Sequence, residues 1–314
     1  MQEVHVAPLT LRTTSTFAVL SRLEPPARQG MSVMDKLHLY DGKMVSPYTK
    51  QDVVEVQRHH PNEGLQGASP RYVTNRLGAV ASRPDTLCIM PLAALDSLWQ
   101  GLGENISMDQ KDVVKFVGLV TETVKEYNDL AILEVQKAYE ESFEESANML
   151  LESYLADVAA YVAGNPGDSQ SERDMREMER SVGVAERNKS EFRHEIHQFV
   201  SAWKSRGWTF DYASAPRLRA AIEERLLPPR RKLERGLSEP RFAKQKVEWA
   251  RRRSSIAGRL VQSSGYCQQC SEDLVNYVTY VLKNKPVHKT PKNEGIEWLW
   301  PLFPSAVNEP SGTA

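Results

Sequence analysis

The chain contains little cysteine and no long hydrophobic run. Three cysteines in 314 residues do not make the disulfide framework of a small secreted protein, and this favours a reducing compartment. A run of about 18 apolar residues, the minimum for a membrane-spanning helix, does not occur. The start of the chain, MQEVHVAPLTLRTT, lacks the basic and apolar segments of a secretory signal. We therefore expect a cytoplasmic protein with no membrane partner.

The chain also has almost no net charge, at −1, so no nucleic-acid partner is expected. The charge is unevenly placed. Residues 134–158 hold seven acids against one base, and residues 228–260 hold eleven bases against three acids. A solvated helix face and a solvated linker are the simplest interpretations of the two segments. The basic segment can also contact phosphate, an acidic partner or the acidic helix of the same molecule.

Complete catalytic motifs are absent from the sequence. It contains no G-x-x-x-x-G-K-[ST], the P-loop whose lysine holds the phosphates of a nucleotide. It contains no H-R-D and no D-F-G, the catalytic-loop and metal-binding motifs of ordinary protein kinases. The nucleophile motif G-x-S-x-G is missing too. The residues alone therefore predict no catalytic site.

Helical periodicity is what the sequence has in abundance. Apolar residues recur at three- and four-residue steps, and start signals such as Ser69-Pro70 precede several of these segments. Residues 228–240, which contain three prolines, predict a linker, and the apolar segment 296–303 is expected to dock onto the fold. We predict a mainly α protein with no convincing sheet. The predicted helices cover residues 8–23, 31–40, 49–58, 70–82, 91–101, 108–163 (as two or three helices), 172–181, 186–205, 215–227, 242–262 and 268–283.

Cys267 and Cys270, in GYCQQC, have the spacing of half a zinc site or of a redox pair. A closed zinc site requires four ligands, but Cys88 has no neighbouring ligand in the sequence and His288 lies in the predicted tail. A redox pair requires a preceding strand, which is not predicted. Packing at the start of the last helix is the favoured interpretation. Thiol chemistry and a metal shared with another chain stay open, and no complete metal site is predicted.

Two arginines lie near predicted helix starts, Arg12 in PLTLRTT and Arg71 in ASPRYV. A guanidinium there can make bidentate hydrogen bonds to phosphate oxygens. The alternative is a surface arginine, or one that is paired with an acid of the same chain. Arg12 and Arg71 are therefore candidate phosphate-binding residues.

The run Arg251-Arg252-Arg253-Ser254-Ser255 resembles a site for a kinase that prefers basic substrates. A phosphate would add a charge of about −1.5 to −2 to a positive segment. Ser254 and Ser255 are candidate phosphorylation sites, although such short motifs often arise by chance.

Long stretches of the chain, in order from about residue 4 to 283, resemble the C-terminal part of the PrkA-type serine protein kinases of bacteria. The resemblance implies an AAA+ ATPase module followed by a helical C-terminal domain. It divides this chain into the helical lid at the end of the AAA+ module (1–103), the C-terminal domain (104–285, with the linker at 228–240) and a tail (286–314). The matching segments are HVAPLTLRTTSTFAVLSRL, LHLYDGK, EGLQGASPRYVTNRL, EYNDLAILEVQKAYEESFEESANMLLESYLADVAAY, FDYASAPRLRAAIEERL and GYCQQCSEDLVNYV.

The resemblance also implies activity and partners. The intact family protein is expected to use ATP and Mg²⁺ to phosphorylate protein serine, and Arg12 then occupies the position of a nucleotide-sensing arginine. The P-loop half is expected on a missing segment, which makes this chain a fragment or a truncated or split gene product. That half, neighbouring subunits and a protein substrate are the expected partners, and this chain by itself predicts no bound cofactor. The alternatives are an ATP-fuelled remodeller or protease, and a non-catalytic interaction module that uses the acidic and basic segments.

Overall fold

The protein is mainly helical, as predicted. A computed structural model describes residues 3–43, 45, 47–61, 63–84, 86–105, 110–140, 143–165, 167–240 and 243–284. Residues 296–303 and His288 lie outside this part of the chain, so the docking predicted for the apolar segment stays a prediction. The elements are β1 His5–Val6, α1 Thr10–Arg22, α2 Val33–Tyr40, α3 Lys50–His59, α4 Pro70–Ala81, β2 Cys88–Ile89, α5 Pro91–Asn105, α6 Gln110–Tyr139, α7 Phe143–Val162, α8 Ser169–Val182, a 3₁₀ turn Glu186–Asn188, α9 Lys189–Lys204, α10 Pro216–Leu226, α11 Arg230–Leu237, α12 Ala243–Ser263 and α13 Gln268–Asn284.

The described residues form two compact units, one within Met1–Tyr139 and Arg230–Ala314 and the other within Glu140–Pro229. This division into units reflects which residues pack together. The predicted domain boundary at residue 103 rests instead on the family resemblance, and it stays a prediction. Among the described residues, no helix is both long enough and apolar enough to cross a membrane.

The first unit is built around α6. Helix α1 packs against α5 and α6, while α12 and α13 pack against α6 and against each other. Phe17, Leu98, Val135 and Leu274 are almost completely buried in the shared core. Such side chains each contribute roughly 1.5–3 kcal/mol through burial. The apolar stripes that predicted these helices are therefore their packing faces.

The segment predicted as a linker, 228–240, contains a helix. Residues Arg230–Leu237 form α11, and Leu233 and Leu237 are fully buried in the core of the first unit. Arg230 forms an ion pair with Asp129 of α6 at 2.7 Å. The prediction was wrong because the prolines of this segment flank the helix rather than interrupt it, and proline is tolerated at such positions.

The loop before α4 docks against the C-terminal end of α1. Ala68 N donates a hydrogen bond to Ser21 Oγ at 2.8 Å, and Arg22 donates to the carbonyl oxygens of Gly64 and Ala68. Gly67 has φ +103°, and a Cβ atom there would lie 2.4 Å from the carbonyl oxygen of Ser21. The close approach of the two backbones therefore requires glycine at position 67.

We expect Gly67→Ala to lower the free energy of unfolding by at least about 2 kcal/mol, because strain in the backbone adds to a clash with backbone atoms. Gly64→Ala is the matched control, since Gly64 also has a positive φ, of +84°, but open space around the added methyl group. Its cost should be about 1 kcal/mol, which is backbone strain alone. Urea denaturation of both variants measures the difference, and equal costs would contradict the close packing of this loop.

The second unit consists of α7 to α10. Its core includes Leu151, Met175, Leu218 and Ile222. Asp168 begins α8 by accepting hydrogen bonds from the backbone N–H groups of Gln170 and Ser171. The predicted helices at 172–181, 186–205 and 215–227 are confirmed, with the second beginning as a 3₁₀ turn.

A small parallel pair of strands was not predicted. β1 and β2 are only two residues each, and they align His5 with Cys88 and Val6 with Ile89. The backbone N–H groups of His5 and Ala7 donate to the carbonyl oxygens of Leu87 and Ile89, both at 3.1 Å. Two residues are too few to show the alternation that identifies a strand in a sequence.

Candidate functional site

His5 and Cys88 meet through the β1–β2 pair. They are opposite partners in its register, and His5 Nδ1 lies 3.1 Å from Cys88 Sγ. The other ring nitrogen of His5, Nε2, lies 3.2 Å from the carbonyl oxygen of Gly265. No ligand neighbours Cys88 in the sequence, but the fold brings His5 to it from 83 residues away.

Cys267 and Cys270 reach the same place from the start of α13. Cys270 Sγ lies 3.8 Å from His5 Nδ1. The backbone N–H of Cys267 donates to Cys270 Sγ at 3.0 Å, and the N–H of Cys270 donates to Cys267 Sγ at 3.4 Å. Gly265, with φ +73°, makes the turn that leads into this segment, a conformation that glycine adopts without strain.

The four side chains form one cluster. The ligand atoms of His5, Cys88, Cys267 and Cys270 all lie within 4.8 Å of one another. Cys270 is fully buried, and the other three are half-buried. All three cysteines are unbonded thiols. A hydrogen bond with Cys88, together with burial, raises the pKa of the Cys270 thiol well above its ordinary value.

Arg12 lies on the first turns of α1, within a small group of charges. Its guanidinium is 46% exposed and lies 3.9 Å from Glu126 Oε1 of α6. The same carboxylate oxygen is 3.2 Å from His38 Nε2 and 3.5 Å from Lys43 Nζ. A hydrogen bond with His38 holds the pKa of Glu126 below its ordinary value, and the charges of Lys43 and Arg12 lower it further. Three basic groups thus surround one acid.

The other predicted residues lie elsewhere. Arg71 is exposed on the first turn of α4, after the N-cap residue Ser69, and no described hydrogen bond or ion pair joins it to the Arg12 group. Ser254 and Ser255 are exposed in the middle of α12. Ser255 Oγ accepts a hydrogen bond from Arg259 at 2.8 Å, so a phosphate at this position would lie beside a guanidinium.

Comparison with known proteins gives a clear family match. Residues 34–277 match the model of the PrkA serine protein kinase C-terminal domain. The chain is 33% identical, over 288 residues, to the "ATP-dependent protease PrkA" of Bacillus subtilis. It is 24% identical, over 238 residues, to the "Serine/threonine kinase YeaG" of Escherichia coli. No solved structure matches the chain.

The match covers most of this chain but less than half of each relative. It takes in 89% of this chain and 45% of the Bacillus protein, and 70% of this chain and 36% of the Escherichia protein. One member of the cysteine and histidine cluster, His5, precedes the family match, whereas Cys88, Cys267 and Cys270 lie within it.

Proposed function

The chain belongs to the PrkA family, and from that premise we propose that it is the C-terminal helical portion of an ATP-dependent protein serine kinase. The family match over residues 34–277 carries the proposal, and the kinase named among the relatives supports it. The proposed reaction moves the γ-phosphoryl group of ATP to a serine hydroxyl of a protein. Mg²⁺ bound together with the ATP would supply neutralisation of the phosphate charge, and ADP would be the leaving group.

We assign Arg12 a role at the nucleotide phosphates. Its ion pair with Glu126 is long, at 3.9 Å, and its guanidinium is half-exposed, so breaking the pair costs less than about 1 kcal/mol. Glu126 keeps His38 and Lys43 as partners when Arg12 leaves. The guanidinium can therefore turn towards a phosphate group, to which it makes two parallel charge-assisted hydrogen bonds, without leaving a carboxylate unpaired.

We expect Arg12→Ala to lower phosphoryl transfer on the order of 10²-fold in a protein that joins this chain to its AAA+ module, because a positioned charge at the transferring group is lost. Arg12→Lys should retain part of the rate, since lysine keeps the charge but not the bidentate geometry. Arg58→Ala, at an exposed site on α3, is the matched control. Its rate of phosphoryl transfer should stay within a factor of about two of the wild-type rate. If Arg12→Ala transferred phosphate at the wild-type rate, Arg12 would not be a residue of the nucleotide site.

The product of the reaction tests the function itself. The kinase predicts phosphoserine in a protein substrate, detected by mass spectrometry after incubation with Mg-ATP. The protease named among the relatives favours a second candidate, an ATP-dependent protease, which would release peptides without phosphoserine. Released peptides without phosphoserine would rule out the kinase and support the protease. The absence of both phosphoserine and released peptides would contradict both proposals.

A further inference from the structure

We propose that His5, Cys88, Cys267 and Cys270 bind one Zn²⁺ ion in a closed, structural site. The proposal is independent of the proposed kinase function, because it rests on four side chains of the first unit and not on the nucleotide. The site would fasten β1 and β2 to the start of α13, and so join positions 265 residues apart in the chain.

The spacing of the ligand atoms fits a tetrahedral zinc site. Bonds of about 2.3 Å to thiolate and about 2.0 Å to imidazole place the ligand atoms roughly 3.5–3.8 Å apart around the ion. The four atoms here lie within 4.8 Å of one another, and Cys270 Sγ is 3.8 Å from His5 Nδ1. Adjustments of about an ångström or less in the side chains would therefore complete the coordination.

The orientation of His5 provides an independent argument. A carbonyl oxygen can only accept a hydrogen bond, so the contact between His5 Nε2 and the Gly265 carbonyl, at 3.2 Å, places the proton on Nε2. Nδ1 then carries the lone pair, and it is Nδ1 that faces Cys88 and Cys270. Metal-bound histidines are held in this way, with the second ring nitrogen donating to a carbonyl or carboxylate.

The backbone around the cysteines is suited to thiolates. The N–H groups of Cys267 and Cys270 point at each other's sulfur atoms, so once Zn²⁺ is bound each thiolate would accept a charge-assisted hydrogen bond from the backbone. Zn²⁺ binding would displace the three thiol protons, which pass to solvent. The ligands come from three separate segments, and this is typical of a site that ties a fold together.

The ligand set selects the metal. Three thiols and one imidazole exclude the oxygen-preferring Mg²⁺ and Ca²⁺ and match a Cys₃His zinc site. Four protein ligands leave no position for water, so the site is structural rather than catalytic. A disulfide between Cys267 and Cys270 is the competing interpretation, but it does not explain why His5 and Cys88 lie beside these two sulfur atoms.

Zinc content is the first test. The purified chain, prepared under reducing conditions without an affinity tag of histidines, should contain about one zinc per chain by elemental analysis. His5→Ala should lower zinc affinity at least about tenfold, and His5→Cys, which keeps four ligands, should retain the ion. His59→Ala is the control, because His59 is exposed on α3 and outside the cluster, and it should keep full zinc.

A second measurement covers the case in which a variant does not fold. Co²⁺ in place of Zn²⁺ should give the visible bands of tetrahedral coordination and a thiolate charge-transfer band in the wild-type chain. Modification of the three thiols with a mercurial should release zinc in step with thiol loss. A chain without zinc that also fails to bind Co²⁺, or one that contains a Cys267–Cys270 disulfide when isolated under reducing conditions, would overturn the proposal.

Discussion

Arg193→Met is expected to lower the free energy of unfolding of the second unit by about 3–5 kcal/mol, because it removes one partner of a buried ion pair. Arg193 and Glu179 are almost completely buried. The guanidinium donates to Glu179 at 2.5 and 3.0 Å and to Glu172 at 2.9 and 3.1 Å. Glu172 keeps Arg176 at 2.6 Å, but the buried Glu179 carboxylate loses its guanidinium.

Hydrogen exchange of α8 and α9 measures this effect within the second unit. Amide protection should fall by roughly 10²–10⁴-fold, which corresponds to the expected energy. Arg217→Met is the matched control, because Arg217 and Glu195 form a pair at 2.7 Å with side chains 43% and 50% exposed. Exposed pairs contribute about 1 kcal/mol or less, so equal losses in the two variants would contradict the account.

The same replacement should change the dependence of stability on pH. A hydrogen bond from Arg193 holds the pKa of Glu172 below its ordinary value. A carboxyl group with a lowered folded-state pKa stabilises the fold above its unfolded pKa, about 4.3, and this contribution is lost as the pH falls through the folded pKa. Arg193→Met should therefore flatten the acid side of the stability profile.

Lys36→Met is expected to destabilise the first unit by a similar amount, about 3–5 kcal/mol. Lys36 is fully buried. Its Nζ donates to Glu63 Oε1 and to the carbonyl oxygen of Glu24 at 3.1 Å. Glu63 also accepts a hydrogen bond from Tyr40 at 2.9 Å. The Glu63 side chain is only 10% exposed. Removing the ammonium group therefore leaves a shielded carboxylate with no positive partner among the described residues.

Urea unfolding, followed by exchange of α2 amides, measures the effect of Lys36→Met. The control is Lys125→Met, since Lys125 and Glu122 form a pair at 2.6 Å with both side chains about 40% exposed, and we expect a loss below about 1 kcal/mol. Adding Glu63→Gln to Lys36→Met should recover part of the loss because the uncompensated charge is removed. No recovery would show that the loss comes from packing rather than charge.

The helices could be predicted because their signals are local. The apolar residues of α1 recur at helical spacing, and Ser69 and Pro70 mark the start of α4, where Ser69 Oγ accepts a hydrogen bond from the N–H of Tyr72. Helix α11 is not predicted from the sequence because its flanking prolines favour a linker. Its stability comes from burial of Leu233 and Leu237 against other helices, and a local pattern does not contain that information.

The four-residue cluster could not be predicted for a related reason. Cys267 and Cys270 were visible as a spaced pair, but His5 and Cys88 join them only through a pair of strands two residues long. His5 lies 265 positions from Cys270, and nothing in the sequence around His5 indicates a ligand. Arg12 is a candidate phosphate-binding residue because it lies near a predicted helix start. Its neighbours Glu126, His38 and Lys43 are far from it in the sequence, and only the folded chain shows them.

Transfer of labelled γ-phosphate from Mg-ATP to protein is the most direct test of the central claim, that this chain is one part of an ATP-dependent serine kinase. The purified chain is incubated with a protein substrate, with and without the proposed AAA+ portion added in trans. We expect label on serine only when both parts are present. Label with this chain alone would contradict the account, because a nucleotide site would then lie among residues to which we assign structural roles.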